Sequence, residues 1–125
     1  MSQSRNCVLD RETISRKIRR MALQVAEANA GEARIVVAGI KGNGEVVAAA
    51  LVAALKEVAS VQPEAITVQL NKKAPGDAQI PKDIQLKDSV VILVDDVANT
   101  GRTMLYALRP FLDQQPARIQ TVVLV

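Results

Sequence analysis

Histidine and tryptophan are absent from this 125-residue chain, and cysteine, tyrosine and phenylalanine each occur once. Without His, neither a Ser-His-Asp nor a Cys-His mechanism is available, and no metal can be held by imidazole. The lone Cys7 cannot close an internal disulfide, which suits a reducing cytoplasm. It reads as part of a loose lead-in rather than as a nucleophile. Tyr106 and Phe111 fall in one predicted helix, so no aromatic platform for stacking unpaired bases is expected. No apolar run reaches membrane-spanning length, and no secretory signal is visible. Neither sign of charge dominates: 16 Lys and Arg against 13 Asp and Glu leave a formal +3. That balance suits an anionic small molecule and does not by itself argue for nucleic acid.

What the chain has in quantity is apolar side chains, 49% of the total, enough for one domain with a real core. Helix and strand patterns alternate along it. Asp10 is placed to cap a helix over residues 10–29, with Ile14, Ile18, Met21 and Val25 on one face and Gly31 as its stop. Arg16, Lys17, Arg19 and Arg20 mostly occupy the opposite side. They read either as a solvated face or as a contact for an anionic partner such as RNA, or for another subunit. A strand over 34–40 ends in Gly39-Ile40-Lys41-Gly42-Asn43-Gly44. The helix over 45–59 is apolar on nearly every side and is expected to be largely buried, against the sheet or a second subunit.

After Pro63 a strand is expected over 65–70. The polar segment 71–88 reads either as a lid, with Lys72 and Lys73 supplying charge, or as a solvated surface loop. A helix follows over 102–114, its apolar face made of Met104, Leu105, Leu108 and Leu112, with Pro110 kinking it or marking its last turn. A final strand over 118–125 is expected to bury residues 122–125. This order predicts a three-layer α/β/α fold with a mainly parallel sheet and ligand loops along the carboxyl edge.

One stretch organises the rest: Val90-Val91-Ile92-Leu93-Val94-Asp95-Asp96-Val97-Ala98-Asn99-Thr100-Gly101-Arg102-Thr103-Met104. Five aliphatic residues without alternation predict a strand buried on both faces. Two carboxylates stand where it ends, and a turn of small and polar residues leads into a helix. Gly101 has no side chain to obstruct a ligand, so residues 98–103 can form a nest of backbone N–H groups at a helix N-terminus, where an anion is favoured. Thr100 and Thr103 add hydroxyl donors. Asp95 and Asp96 repel phosphate, but accept hydrogen bonds from sugar hydroxyls or help hold a hydrated Mg²⁺. The arrangement describes a site for a ribose carrying a phosphate. Plainer readings are helix capping by the Asp pair, N-caps at Thr100 and Thr103, and the acidic pair of a receiver-type domain, which belongs on a first strand rather than a late one.

Val-Asp-Asp-Val-x-x-Thr-Gly-Arg-Thr resembles the PRPP-binding signature of type I phosphoribosyltransferases, most of all the uracil phosphoribosyltransferase and pyrimidine-operon regulator branch. The opening Leu-Asp-x-x-x-Ile-x-Arg-x-Ile-x-Arg-Met-Ala resembles the start of those regulators. The resemblance assigns the ribose 2′- and 3′-hydroxyls to Asp95 and Asp96. It assigns the 5′-phosphate to Ala98, Asn99, Thr100, Gly101, Arg102 and Thr103. Gly39–Gly44 fails the dinucleotide fingerprint, because Val47 takes the third glycine position, and fails the P-loop, because Glu45 follows the last glycine. It is similar to the family's pyrophosphate loop, which places that role on Ile40, Lys41, Gly42 and Asn43. Relatives often carry Arg where Asn43 stands, leaving Lys41 as the loop's cation. A plain strand-to-helix turn is the other reading.

The resemblance implies transfer of the 5-phosphoribosyl group from PRPP to a nucleobase, uracil first, with release of pyrophosphate. Mg²⁺ is the implied cofactor, held by Asp95 and Asp96 through water or ribose hydroxyls. The alternatives are a nucleotide-sensing regulator that binds RNA and a non-catalytic PRPP-binding domain. A single domain over residues 1–125, without the hood that reads the base, and a homodimer or larger homo-oligomer in the cytoplasm complete these expectations.

Overall fold

The computed structural model describes residues 11–32, 34–59, 62–70, 78–81, 83–95 and 102–124. In chain order its elements are α1 (Arg11–Ala28), β1 (Ile35–Ile40), α2 (Asn43–Val58), β2 (Glu64–Val68), β3 (Val90–Asp95), α3 (Arg102–Leu112) and β4 (Arg118–Val123). The strands form one sheet in the order β2-β1-β3-β4, and all three pairings are parallel. The expected three-layer α/β/α architecture is present, and so is the expected order of elements.

β1 and β3 are the inner strands, and every residue of both is buried. A strand covered on both faces has no reason to alternate, so their unbroken aliphatic runs are what this position requires. Their alternate side chains build two separate cores. Ile35 and Val37 join Val90, Ile92 and Val94 under α1 and α2, packed on Ile18, Val25, Leu51 and Leu55. Val36, Ala38 and Ile40 join Val91 and Leu93 on the other face, with Ala107 and Phe111 of α3 and with Leu86.

In α1, Ile18, Ala22 and Val25 are buried and Arg16, Lys17, Arg19 and Arg20 are all exposed. Gly31 takes φ 89° just after the helix, the left-handed conformation that glycine adopts most easily. Asp10, expected as the cap, and Cys7 lie outside the described residues. The end of α1 is tied to β4 by a polar cluster centred on the buried Asn29. Asn29 is 2% exposed and donates from Nδ2 to the carbonyl of Val25 (2.9 Å) and to Gln120 Oε1 (2.7 Å). Arg118 donates to Asn29 Oδ1 and to the Ala28 carbonyl, both at 2.9 Å, placing a cation at the helix's negative end.

α2 buries one flank within the chain, Val47, Ala48, Leu51, Val52 and Leu55, and leaves Val46, Val58, Ala49 and Ala53 exposed in the single copy. A helix on one face of a sheet can offer it only one side. Three expectations need correcting. In α3, Leu105 and Leu112 are each 65% exposed, and Ala107 and Phe111, one turn apart, take the sheet-facing positions instead. In β4 only Leu124, just past the strand, is buried, while Val122 is half-buried and Val123 exposed. β4 is an edge strand with a neighbour on one side only. Val125 lies outside the described residues. Finally, the described part of segment 71–88 is not wholly solvated: Leu86 is fully buried, and Ala78, Ile80 and Ile84 pack on the α3-side core, between exposed polar neighbours. Lys72 and Lys73 lie outside the described residues. Among the described residues, no helix is long and apolar enough to cross a membrane.

Candidate functional site

In a parallel sheet every strand ends at the same edge, and in open α/β sheets ligands bind outside that carboxyl edge. Here β1 delivers Ile40 and the turn Lys41-Gly42, β2 delivers Thr67, and β3 delivers Asp95. The first turn of α2 lies across all three strand ends. Gly39 makes this possible: a Cβ there would stand 2.7 Å from Ala48 Cβ, Glu45 Cα and the Gly44 carbonyl oxygen. Gly42, at φ 104°, then turns the chain from strand to helix in two residues.

The helix start is held from both sides. Toward β2, the Thr67 hydroxyl donates to Glu45 Oε2 at 3.0 Å, and the Lys41 N–H donates to the Val68 carbonyl at 2.9 Å. Toward β3, Gly44 is so close that a Cβ would lie 2.9 Å from the Val94 carbonyl oxygen and 3.2 Å from Asp95 Oδ1. Gly42 brings no side chain to cap α2. The backbone amides of that first turn and the positive end of the helix dipole therefore point at the edge where Asp95 sits, a combination that favours an anion.

Of the residues assigned from sequence, Asp95 is 7% exposed, a largely covered carboxylate at the strand end. Ile40 is buried, so it offers the edge its backbone, while Lys41, Gly42 and Asn43 are exposed. The structure thus brings together Asp95 and the turn after β1. Arg102 and Thr103 open α3. Asp96, Ala98, Asn99, Thr100 and Gly101 lie outside the described residues. Reading the sequence gave Gly44 no separate role and overlooked the Thr67–Glu45 bond. The spacing of Gly39, Gly42 and Gly44 was the available signal for the first.

Among the described residues no group of three His, Cys, Asp or Glu side chains is placed to hold a metal ion. Among the described residues, hollows of about 490 Å³ along β2 and the bridged Gln69–Gln79 pair, about 440 Å³ between β2 and the start of α2, and about 380 Å³ between α1 and α2 are open. Asp95 lines none of these three.

Comparison with known proteins follows the same lines. The family model described as "Phosphoribosyl transferase domain" matches residues 4–125. "Bifunctional protein PyrR" of Roseiflexus sp. (strain RS-1) is 37% identical over 128 residues, covering 94% of this chain and 70% of that protein. Its namesake in Bacillus cereus (strain B4264) is 34% identical over 137 residues, covering 98% of this chain and 75% of that protein. Among solved structures, a hypoxanthine phosphoribosyltransferase from Staphylococcus aureus superposes with a TM-score of 0.77 at 17% identity, over 93% of this chain. This chain spans 64% of that one, less than two thirds of its length. The hypoxanthine phosphoribosyltransferase of Trypanosoma cruzi gives a TM-score of 0.76 at 19% identity, over 90% of this chain and 66% of that one. At such identities the structural likeness speaks for the fold.

Proposed function

The chain belongs to the phosphoribosyl transferase domain family, and on that premise we propose that it moves the 5-phosphoribosyl group of PRPP onto a nucleobase, uracil, and releases pyrophosphate. The observation that carries this reading is the meeting of Asp95 with the first turn of α2. An acid that can accept from sugar hydroxyls and a helix start that favours an anion stand about one side-chain carbon apart.

In the transfer, the bond from ribose C1 to the pyrophosphate oxygen breaks and one from C1 to a base nitrogen forms. Positive charge grows on the sugar ring and negative charge on the leaving group. No protein nucleophile is required, so a chain without His is equipped for it. Asp95 and Asp96 take the ribose 2′- and 3′-hydroxyls and favour the cationic ring. Backbone amides over Ala98, Asn99, Thr100, Gly101, Arg102 and Thr103 take the 5′-phosphate. Ile40, Lys41, Gly42 and Asn43 receive the pyrophosphate at the start of α2.

Mg²⁺ fits this donor set. The ion is usually held by one or two carboxylates, with substrate phosphates and water supplying the rest. Asp95, a largely covered carboxylate at that edge, matches that habit. Asp95 and Asp96 would hold it through water or ribose hydroxyls, and when bound it neutralises charge on the pyrophosphate.

The test is PRPP- and Mg²⁺-dependent nucleotide formation by the full-length protein with uracil, orotate, hypoxanthine and guanine. Formation of uridine 5′-monophosphate from uracil is expected. PRPP binding without turnover on any base would leave a non-catalytic PRPP-binding domain.

A second reading rests on the exposed Arg16, Lys17, Arg19 and Arg20 of α1. A basic helix face on a chain similar to proteins named bifunctional suits a regulator of pyrimidine genes that also binds RNA. Affinity for RNA that falls steeply with salt supports it, and salt-independent or absent binding refutes it. The exposed flank of α2 around Val46 suits a second copy of the chain, giving a homodimer or larger homo-oligomer in a cytoplasmic salvage role.

A further inference from the structure

We propose that Thr67 is a positioning residue: its hydroxyl holds the Glu45 carboxylate toward β2 and so keeps it off the backbone amides at the start of α2, where pyrophosphate is received. This rests on the phosphoribosyl-transfer reading above and adds a residue from β2 to it.

Glu45 is the acid of α2's first turn. The N-cap of that helix is Gly42, which brings no side chain to the amides, and Glu45 stands three residues on. A Glu at that position ordinarily reaches back to the N-cap N–H and occupies the helix start itself. The helix dipole draws its negative charge the same way. A carboxylate lying over those amides competes with a phosphate for the same donors. Here it turns aside. Oε2 accepts from the Thr67 hydroxyl at 3.0 Å, and both side chains, half-buried, line the hollow of about 440 Å³ between β2 and the start of α2. The helix has other means of staying in place. The fit of Ala48 and Glu45 over Gly39 seats it, Val47, Leu51 and Leu55 are buried against the sheet, and the Lys41 N–H ties the turn before it to the Val68 carbonyl. What the Thr67 hydroxyl decides is the direction of one carboxylate.

The experiment compares binding of PRPP with that of ribose 5-phosphate, each with Mg²⁺, by calorimetry on the full-length protein, in Thr67→Val, Glu45→Ala and the double variant. The two ligands differ by the pyrophosphate alone. Thr67→Val is expected to weaken PRPP about tenfold, the factor that one charge-assisted hydrogen bond is worth, and to leave ribose 5-phosphate within about twofold. Glu45→Ala is expected to bind PRPP at least as tightly as the wild type. The double variant is expected to match Glu45→Ala, since without the carboxylate the hydroxyl has nothing left to direct. Thr67→Ser, which keeps the hydroxyl, is expected to behave as the wild type.

A purely structural role would weaken both ligands alike, and the loss would persist in the double variant; either result overturns the proposal. So does unchanged PRPP affinity in Thr67→Val, or weaker PRPP binding in Glu45→Ala. Should Thr67→Val show no cooperative melt, Thr67→Ala removes the same hydroxyl with a smaller side chain, and the same outcomes decide. If the wild type binds neither PRPP nor ribose 5-phosphate, the phosphoribosyl reading itself has failed, and the role of Thr67 with it.

Discussion

The two edges of the sheet are built by opposite means. At the amino edge, long side chains bridge one element to another. Arg34, ahead of β1, pairs through both nitrogens with Glu64 at the start of β2, Nε to Oε2 at 2.5 Å and Nη2 to Oε1 at 3.1 Å, and also donates to the Gln85 carbonyl. Arg118, at the start of β4, holds Asn29 and the end of α1. At the carboxyl edge, side chains are left out so that backbones can approach: Gly39 and Gly44 let α2 ride on the ends of β1 and β3, against Asp95. One edge is fastened by side chains and the other, the Thr67–Glu45 bond apart, is shaped by their absence. On the proposed function, stability and ligand chemistry fall at opposite ends of the same strands, and substitutions at the two ends should be separable.

The largest effect that sharpens this contrast is expected at the shaped edge. Asp95→Asn should lower kcat/KM for PRPP by about 100- to 1000-fold, the ~2.7–4 kcal/mol typical of one well-placed stabilising group. Its thermal midpoint should stay close to wild type; a protein that unfolds instead would put Asp95 among the fasteners. Asn29→Ala comes next, at the fastened end. It empties the buried Asn29 position and removes the bonds to the half-buried Gln120 and to Arg118, and should cost about 1–3 kcal/mol in urea denaturation, with KM for PRPP unchanged. A shifted KM there would break the separation.

The smallest effect is expected at the exposed ion pair. Glu64→Gln should cost less than about 1 kcal/mol at neutral pH, since solvent screens the pair. The Glu64 carboxyl lies below its ordinary range, chiefly because Arg34 hydrogen-bonds to it, with burial opposing and the Arg34 charge adding to the shift. Arg34 is correspondingly raised, again mostly through that hydrogen bond. A lowered acid stabilises fully above its unfolded value and loses its contribution as pH falls through the folded one. The gap between wild type and Glu64→Gln should therefore close on acidification, and denaturant midpoints at neutral and acid pH measure it. A gap that widened toward acid would reverse the sign of the pair.

What could be read from the sequence follows from what is local. β1 and β3 were visible because strands covered on both faces need unbroken aliphatic runs, and the end of α1 because Gly31 marks it. α3 was harder. Its apolar residues fall on two adjoining lines, and only the sheet decides between Leu105 with Leu112 and Ala107 with Phe111. Leu86 was lost among polar neighbours, because a single anchoring residue makes no pattern. Asp95 stood out by its neighbours in the chain, but the use of Gly44 depends on β3 lying beside β1, a long-range fact that no window of residues contains. The same holds for Arg118 and Asn29.

That last pairing carries a consequence for how the chain matures. The groups that secure the end of α1 come from Arg118 and Gln120, 89 to 91 residues further on. A ribosome releases the amino end first, so the first helix emerges long before its fastener exists. Until strand 118–123 clears the exit tunnel, the end of that helix lacks these bonds, and slow late translation lengthens that interval.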